Sequence, residues 1–306
     1  MRTPDIPPVA GADVGGGSVK YGILAEGGTV VFRGSFPTSP TPEATFEELR
    51  RRLREASASA GVEPRRLGVA LPGPLPADRA ALGELPNLPA WSGWPVRERL
   101  SALFGLPVAV ENDANAAAFA EAHLGAGRGC RTVLLLTLGT GVGGGIVHEG
   151  RLFLGSAGAA AEIGHLTVQD DGPFCPCGKR GCLEALVGSR ALRASYAARA
   201  GLASPPPLSE VISLARRGDE TALAVFRRAG AWLGVAVAAA ANILNPDCVL
   251  IGGGVAAVGG PLLEAVRASA VPRVMPALRN FRLAGAALGN DAGFIGAALL
   301  AAEEEG

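Results

Sequence analysis

The sequence predicts an α/β chain of two similar lobes facing each other across a cleft. Apolar strand-like runs alternate with helical spacing along the chain. A glycine hairpin between two apolar strands, Asp13-Val-Gly-Gly-Gly, recurs as Leu138-Gly-Thr-Gly-Val-Gly-Gly-Gly. With 306 residues, 48 % of them apolar, the chain can fill two hydrophobic cores. The 28 Lys plus Arg balance the 28 Asp plus Glu, and aromatics make up only 5 %. That leaves no general basic field for a phosphate backbone and few platforms for stacked bases, which excludes nucleic acid as the main partner. Met1 to Pro8 holds three prolines and no apolar run. It does not read as a secretory signal, so a cytoplasmic location is expected.

Val9 to Asp13, Tyr21 to Ala25 and Val30 to Phe36 are short apolar runs between glycine-rich turns, the pattern of an antiparallel meander. Glu43 to Ala60 has helical spacing, Leu67 to Leu71 is a strand stopped by Pro72, and Pro95 to Leu103 is a second helix. Pro107 to Glu111 is a strand running into Asn112-Asp113, which opens an alanine-rich helix reaching Leu124. The pattern then restarts, with a strand over Thr132 to Leu138, a glycine turn over Gly139 to Gly145 and a return strand over Ile146 to His148. A cysteine-rich loop follows, then helices at Ala191 to Ala200, Leu208 to Arg216 and Thr221 to Leu244, and the strand Cys248 to Ile251. The apolar stretch Ala229 to Leu244 is too short to cross a bilayer and reads as a buried helix, so no membrane association is expected. Ala292 to Glu303 is a final helix, expected to return to the first lobe.

Glycine turns bring backbone N–H groups close to anionic oxygens, because no Cβ stands in the way. Gly15, Gly16 and Gly17, and later Gly139 and Gly141, read either as plain hairpin turns or as phosphate cradles. Asp13 favours the second reading, since a carboxylate at a strand end beside such a loop can hold Mg²⁺. A dinucleotide fingerprint at Gly139 is excluded, because that motif requires a helix after it and Val142 to His148 is strand-like. Gly252-Gly253-Gly254 follows another strand, where it reads as a strand-to-helix turn or as backbone offered to a nucleotide.

The strongest local signal is His165-x9-Cys175-x-Cys177-x4-Cys182. These are four soft or borderline ligands at close spacing, the donor set of a Zn²⁺ site. A full set of four protein ligands leaves no position for an activated water, so the metal is expected to be structural. Cys130 and Cys248 read as ordinary core cysteines. Zinc on one ring nitrogen of His165 would orient the other as a fixed donor. Glu162 and Glu184 flank the loop, either as solvated carboxylates or as acceptors for a polyol. Asp113 reads as a helix cap, as a proton acceptor for an attacking hydroxyl, or as both.

Together Asp13-Val-Gly-Gly-Gly, Asn112-Asp113-Ala-Asn, Leu138-Gly-Thr-Gly, Glu162-Ile-Gly-His165, Cys175-Pro-Cys-Gly-Lys-Arg-Gly-Cys182-Leu-Glu184 and Ile251-Gly-Gly-Gly resemble the ROK family of sugar kinases and related repressors. The match covers almost the whole chain in the family's order. The zinc segment between its two glutamates is the specific part, whereas the glycine loops belong to the wider actin-like kinase superfamily.

The resemblance implies a two-lobed actin-like (ribonuclease H-like) fold. The small lobe would comprise residues 1–116 with the terminal helix 291–306, on the sugar and phosphate side. The large lobe, residues 117–290, would hold the zinc loop and the nucleotide. It further implies ATP, Mg²⁺ and a structural Zn²⁺, with phosphoryl transfer to a hexose hydroxyl. Asp113 would be the base. Gly73, Asn87, Asn112, Glu162, His165 and Glu184 would hold the sugar. Asp13 would organise Mg²⁺, and Gly15, Gly16, Gly139, Thr140, Gly141, Gly253 and Gly254 would line the nucleotide. His165, Cys175, Cys177 and Cys182 would bind zinc. One departure is plain, because the family's usual Asp-x-Gly-Gly-Thr ends here in Gly17. The missing hydroxyl leaves Ser18 or Lys20 as alternatives for that phosphate contact. Glucose is the acceptor the resemblance favours, with fructose, N-acetylmannosamine and N-acetylglucosamine as alternatives. A non-catalytic sugar-binding regulator is the reading from another class. A DNA-binding repressor is not expected, with about a dozen residues ahead of Asp13 against the length of a helix-turn-helix. A homodimer is implied by resemblance only.

Overall fold

The computed structural model describes residues 6–303 apart from 74, 77 and 84–87. The strands are β1 (Val9–Val14), β2 (Ser18–Leu24), β3 (Val30–Pro37), β4 (Leu67–Leu71), β5 (Val108–Asn112), β6 (Thr132–Leu138), β7 (Val142–His148), β8 (Arg151–Leu152), β9 (Cys248–Gly252) and β10 (Arg282–Gly285). The α-helices are α1 (Pro42–Ala60), α2 (Val96–Phe104), α3 (Asp113–His123), α4 (Leu183–Val187), α5 (Ser189–Ala200), α6 (Leu208–Arg216), α7 (Glu220–Leu244), α8 (Gly260–Ala270) and α9 (Ala292–Glu303). They fall into two compact units. The first takes the chain to Leu124, Arg151–Ala160 and the segment from Asn290 onward; the second takes Gly125–Gly150 and Ala161–Gly289.

In the first unit the sheet order is β3-β2-β1-β4-β5. The meander β1-β2-β3 is antiparallel, and β4 and β5 run parallel to β1. All five residues of β4 are buried, as expected of a strand covered on both faces. The two-residue side-chain period sends Val69 and Leu71 towards Phe46 and Leu49 of α1 and Leu100 of α2. Ala70 faces the other way, onto Ala116 of α3 and Ala297 of α9. Those alanines let two helices sit close on one face, and α9 returns to the first sheet as its sequence position suggested. The same packing carries all of α3 with the first unit. The division therefore falls at Leu124, where the sequence reading placed it at 116.

The second unit repeats the plan with the order β10-β9-β6-β7. β6 and β7 are antiparallel with Leu138 opposite Val142, so the turn is Gly139–Gly141 and the return strand takes in Gly143–Gly145. β9 runs parallel to β6 and to β10. α7 is the spine of this core, burying Phe226, Leu233 and Val237 along one stripe. Its N-cap Asp219 accepts from the N–H of Ala222 at 2.7 Å, and Asn245 closes it in the left-handed conformation. The helix runs well ahead of Ala229, so length does not exclude a span as the sequence reading held: among the described residues α7 alone is long and apolar enough to cross a membrane, and much of that stretch is packed inside the unit. The sequence reading missed α8 and β10, and offered α4 only as one reading of Glu184, in the first turn of a helix. α8 opens on Gly260-Pro261, and Pro near the first helical position is a helix-start signal, since its absent N–H is one no helix uses there.

Candidate active site

In the first unit the turn after β1 is closed by the Gly15 N–H donating to the Ser18 carbonyl at 2.9 Å. It is braced from the end of β3 by Thr38, whose hydroxyl donates to the Gly15 carbonyl at 2.6 Å and whose N–H donates to the Gly17 carbonyl at 3.3 Å. Sequence reading missed Thr38, because nothing local marks a residue that reaches back across a hairpin. A Cβ at Gly16 or Gly17 would meet nothing within 4 Å, so packing does not forbid the threonine the family usually has there. Asp13 lies opposite Lys20 in the β1–β2 register. Burial pushes its carboxyl above the ordinary carboxylate range, and the Lys20 charge offsets part of that shift.

At the end of β5 the helix cap is Asn112. Its Oδ1 accepts from the N–H groups of Ala114 at 2.9 Å and Asn115 at 3.2 Å, while its Nδ2 donates to the Gly73 carbonyl at 3.0 Å. Asp113 is the first residue of α3, and its Oδ1 accepts from the Ala114 N–H at 2.8 Å. The capping role the sequence offered to Asp113 therefore belongs to its neighbour. Asn112, expected to hold a sugar hydroxyl, has its amide committed to the helix cap and to Gly73. Asn87 lies outside the described residues.

In the second unit the β6–β7 turn is closed by Gly139 N–H donating to Gly141 O at 2.9 Å, and Ser189 N–H donates to Gly139 O at 3.0 Å. Gly253, after β9, has φ +80°, and a Cβ there would come within 2.6 Å of the Leu138 nitrogen. Only glycine suits that conformation and that approach. The two glycine turns singled out in the sequence are thus in backbone contact at the ends of β6 and β9.

The ligand atoms of His165, Cys175, Cys177 and Cys182 all lie within 4.8 Å of one another. Cys175 Sγ is 3.7 Å from His165 Nδ1, and Cys177 Sγ is 3.5 Å from Cys182 Sγ. Tetrahedral zinc with Zn–S of about 2.3 Å and Zn–N of about 2.0 Å has edges of roughly 3.5–3.8 Å, so these two pairs match that ion and the donor types suit it. Backbone bonds fold the loop around it, with Cys175 N–H donating to Lys179 O at 2.8 Å and Val168 N–H to Gly181 O at 2.9 Å. The Lys179 N–H lowers the Cys177 thiol to about 7, whereas burial pushes Cys182 up to about 12 and raises Cys175. With Nδ1 turned to the thiols, His165 Nε2 lies 3.9 Å from Glu162 Oε2. Glu184, near the start of α4, accepts at Oε2 from the Val142 N–H at 2.9 Å.

Residues 9–304 match the ROK family. The chain belongs to the ROK family. It is 36 % identical to a glucokinase from Thermotoga maritima, over 97 % of this chain and 98 % of the relative. A ROK hexokinase from Thermus thermophilus superposes with TM-score 0.82 at 36 % identity, covering 96 % of this chain and 98 % of that one. A ROK family glucokinase from Streptomyces griseus, in complex with glucose and AMPPNP, gives TM-score 0.85 at 32 % identity, covering 96 % and 99 %. The fold is the two-lobed actin-like fold of the ROK kinases.

Within this ROK chain the first unit brings Asp13, Gly15, Gly16, Gly17 and Lys20 to one turn, and Gly73, Asn112 and Asp113 to another. The second unit joins Gly139, Gly141 and Gly253 through the ends of β6 and β9, and Glu162, His165 and Glu184 through the metal loop. Thr140 sits in the β6–β7 turn, and Gly254 opens the short 3₁₀ turn after β9.

Proposed function

We propose that this ROK protein is an ATP-dependent glucokinase, transferring the γ-phosphoryl group of ATP to the 6-hydroxyl of glucose. The observation that carries the reading is the orientation of His165, whose Nδ1 faces the thiols and whose Nε2 faces Glu162. A metal-braced imidazole N–H beside a carboxylate presents one fixed donor and one acceptor, the pairing that recognises adjacent sugar hydroxyls. The glucokinase relatives support the same acceptor.

In this reading Asp113 accepts the proton of the sugar hydroxyl as its oxygen attacks the γ-phosphorus, and ADP departs with the bridging oxygen. Glu162, His165 and Glu184 orient the sugar, and Gly73 closes the pocket over it. The backbone of Gly15, Gly16 and Gly17 and of Gly139, Thr140, Gly141, Gly253 and Gly254 approaches the nucleotide, with Lys20 adding charge. Asp13 holds Mg²⁺, which when bound neutralises the charge of the phosphates. His165, Cys175, Cys177 and Cys182 hold Zn²⁺ as a brace and take no part in the chemistry.

The test is ATP consumption with Mg²⁺ across glucose, fructose, mannose, allose, N-acetylglucosamine and N-acetylmannosamine, with polyphosphate as a second donor. Dominant turnover of glucose with ATP is expected. Dominance of another sugar moves the acceptor, and sugar-dependent thermal stabilisation without turnover of any sugar would replace the kinase reading by a sugar-binding one.

A further inference from the structure

A buried ion pair in the first unit involves Glu111, two residues before Asp113. Arg79 donates from Nη2 at 2.8 Å and from Nε at 3.3 Å to Oε2 of Glu111, and the two side chains are only 10 % and 9 % exposed. The other oxygen, Oε1, accepts from the Asn112 backbone N–H at 2.9 Å and from Asn115 Nδ2 at 3.0 Å. One carboxylate therefore holds residues on both sides of Asp113, one through backbone and one through a side chain. Arg79 also shares its segment with Gly73, whose carbonyl accepts from Asn112 Nδ2. The stretch that leaves β4 is thus tied to the end of β5 at two points, Gly73 and Arg79.

Neither feature is what stability alone would select. Arg79 has φ +49°, a conformation unfavourable for a side chain with a Cβ, which persists only where its surroundings overdetermine it. Two charges taken out of water gain little over a well-packed apolar pair. A strained backbone and a desolvated ion pair meet here, and the Glu111 end of the pair bonds the residues that flank a reacting group, which marks a site built for geometry.

We propose that Arg79 and Glu111 are positioning residues, a buried pair that fixes the Asp113 carboxylate and the Gly73 carbonyl in the arrangement the acceptor hydroxyl meets. The inference rests on the reading of Asp113 as the base. Neither residue touches the substrate; both act through Asn112 and Asn115.

The experiment is steady-state kinetics with glucose and ATP on Arg79→Lys, Glu111→Gln and the double variant, with Asp113→Asn alongside and thermal midpoints for all. Lysine keeps the charge of Arg79 but not its planar fork, and glutamine keeps the shape of Glu111 without its charge. Each single variant is expected to lose kcat by about tenfold or more at temperatures where it is folded, with KM for ATP within about twofold. The acidic limb of the kcat profile should move in Glu111→Gln, which removes a negative charge two residues from Asp113; a merely structural pair would leave that limb in place. The double variant should lose no more than the worse single one, as residues acting as one unit do. Where Glu111→Gln fails to fold, Arg79→Lys decides by its loss of kcat against an unchanged KM for ATP. An inactive Asp113→Asn beside single variants within twofold of the wild-type kcat overturns the positioning role alone. A fully active Asp113→Asn overturns the reading of the base itself.

Discussion

Oε2 of Glu184 accepts from the backbone N–H of Val142 at 2.9 Å, and this bond ties the metal loop to the glycine turn between β6 and β7. Glu184 stands two positions after Cys182, and a Cβ added at Gly141 would run into the same carboxylate oxygen. A residue that sequence assigns to the sugar also buttresses a turn assigned to the nucleotide. The loop that gathers His165, Cys175, Cys177 and Cys182 thereby reaches the β6–β7 turn through one side chain.

Glu184→Gln and Glu184→Ala should separate these two duties. Glutamine can still accept from Val142 with its amide oxygen, so KM for glucose should rise about tenfold or more, the scale of a lost charged hydrogen bond, with KM for ATP little changed. Alanine leaves the Val142 N–H without that acceptor and should raise KM for ATP as well, by about three- to tenfold. Equal KM values for ATP in the two variants would show that the turn does not depend on the bond.

Cys177→Ser should cost the protein its zinc. Metal analysis of purified protein should fall from a full equivalent per chain towards zero, and the thermal midpoint should drop by roughly 5–10 °C. KM for glucose should rise too, because His165 and Glu184 lose their common support. Unchanged zinc content with unchanged KM would remove Cys177 from the ligand set.

Most of the frame was legible in the chain, because its signals are local. The ends of α6 and α9, the meander and the grouping of His165, Cys175, Cys177 and Cys182 follow from spacing along short stretches of chain. What escaped depends on contacts between distant segments. Thr38 bracing Gly15, the Glu184–Val142 bond and the Arg79–Glu111 pair join residues 23, 42 and 32 positions apart, and no periodicity encodes them. Asn112 shows the same limit in a milder form. Sequence offered a helix cap at this junction, but which of two adjacent polar residues takes it is decided by the direction in which β5 delivers them.

Asp13→Asn should stabilise the protein at neutral pH while abolishing turnover. Burial holds the Asp13 carboxyl above its ordinary value, so the folded chain binds this proton more tightly than the unfolded chain. The resulting stabilisation is complete below the unfolded value, near pH 3.9 for an ordinary aspartate, and is lost as pH rises through the folded one. Asparagine has no proton to lose. In the absence of Mg²⁺ and nucleotide, the variant's thermal midpoint should exceed the wild type's at about pH 7 and converge on it near about pH 4. A variant less stable than the wild type at neutral pH would show that Lys20 outweighs burial at Asp13.

Gly293→Ala tests how tightly Asp13 is held. On propensity alone, alanine within a helix is favoured over glycine by about 1 kcal/mol, so the substitution should raise stability. Here a Cβ at Gly293, in the first turn of α9, would come within 2.5 Å of Asp13 Cγ and 3.0 Å of its Cβ. Either α9 shifts on the sheet or the carboxylate turns away from its place beside the glycine turn. Alanine should therefore lower the thermal midpoint and reduce kcat/KM for MgATP by about tenfold or more, with glucose binding in the absence of nucleotide preserved. The split between the two substrates is the informative part. Equal loss of both would point to a general disturbance of the first unit, whereas a midpoint that rises with activity intact would mean that Asp13 has room to move and is not fixed by α9.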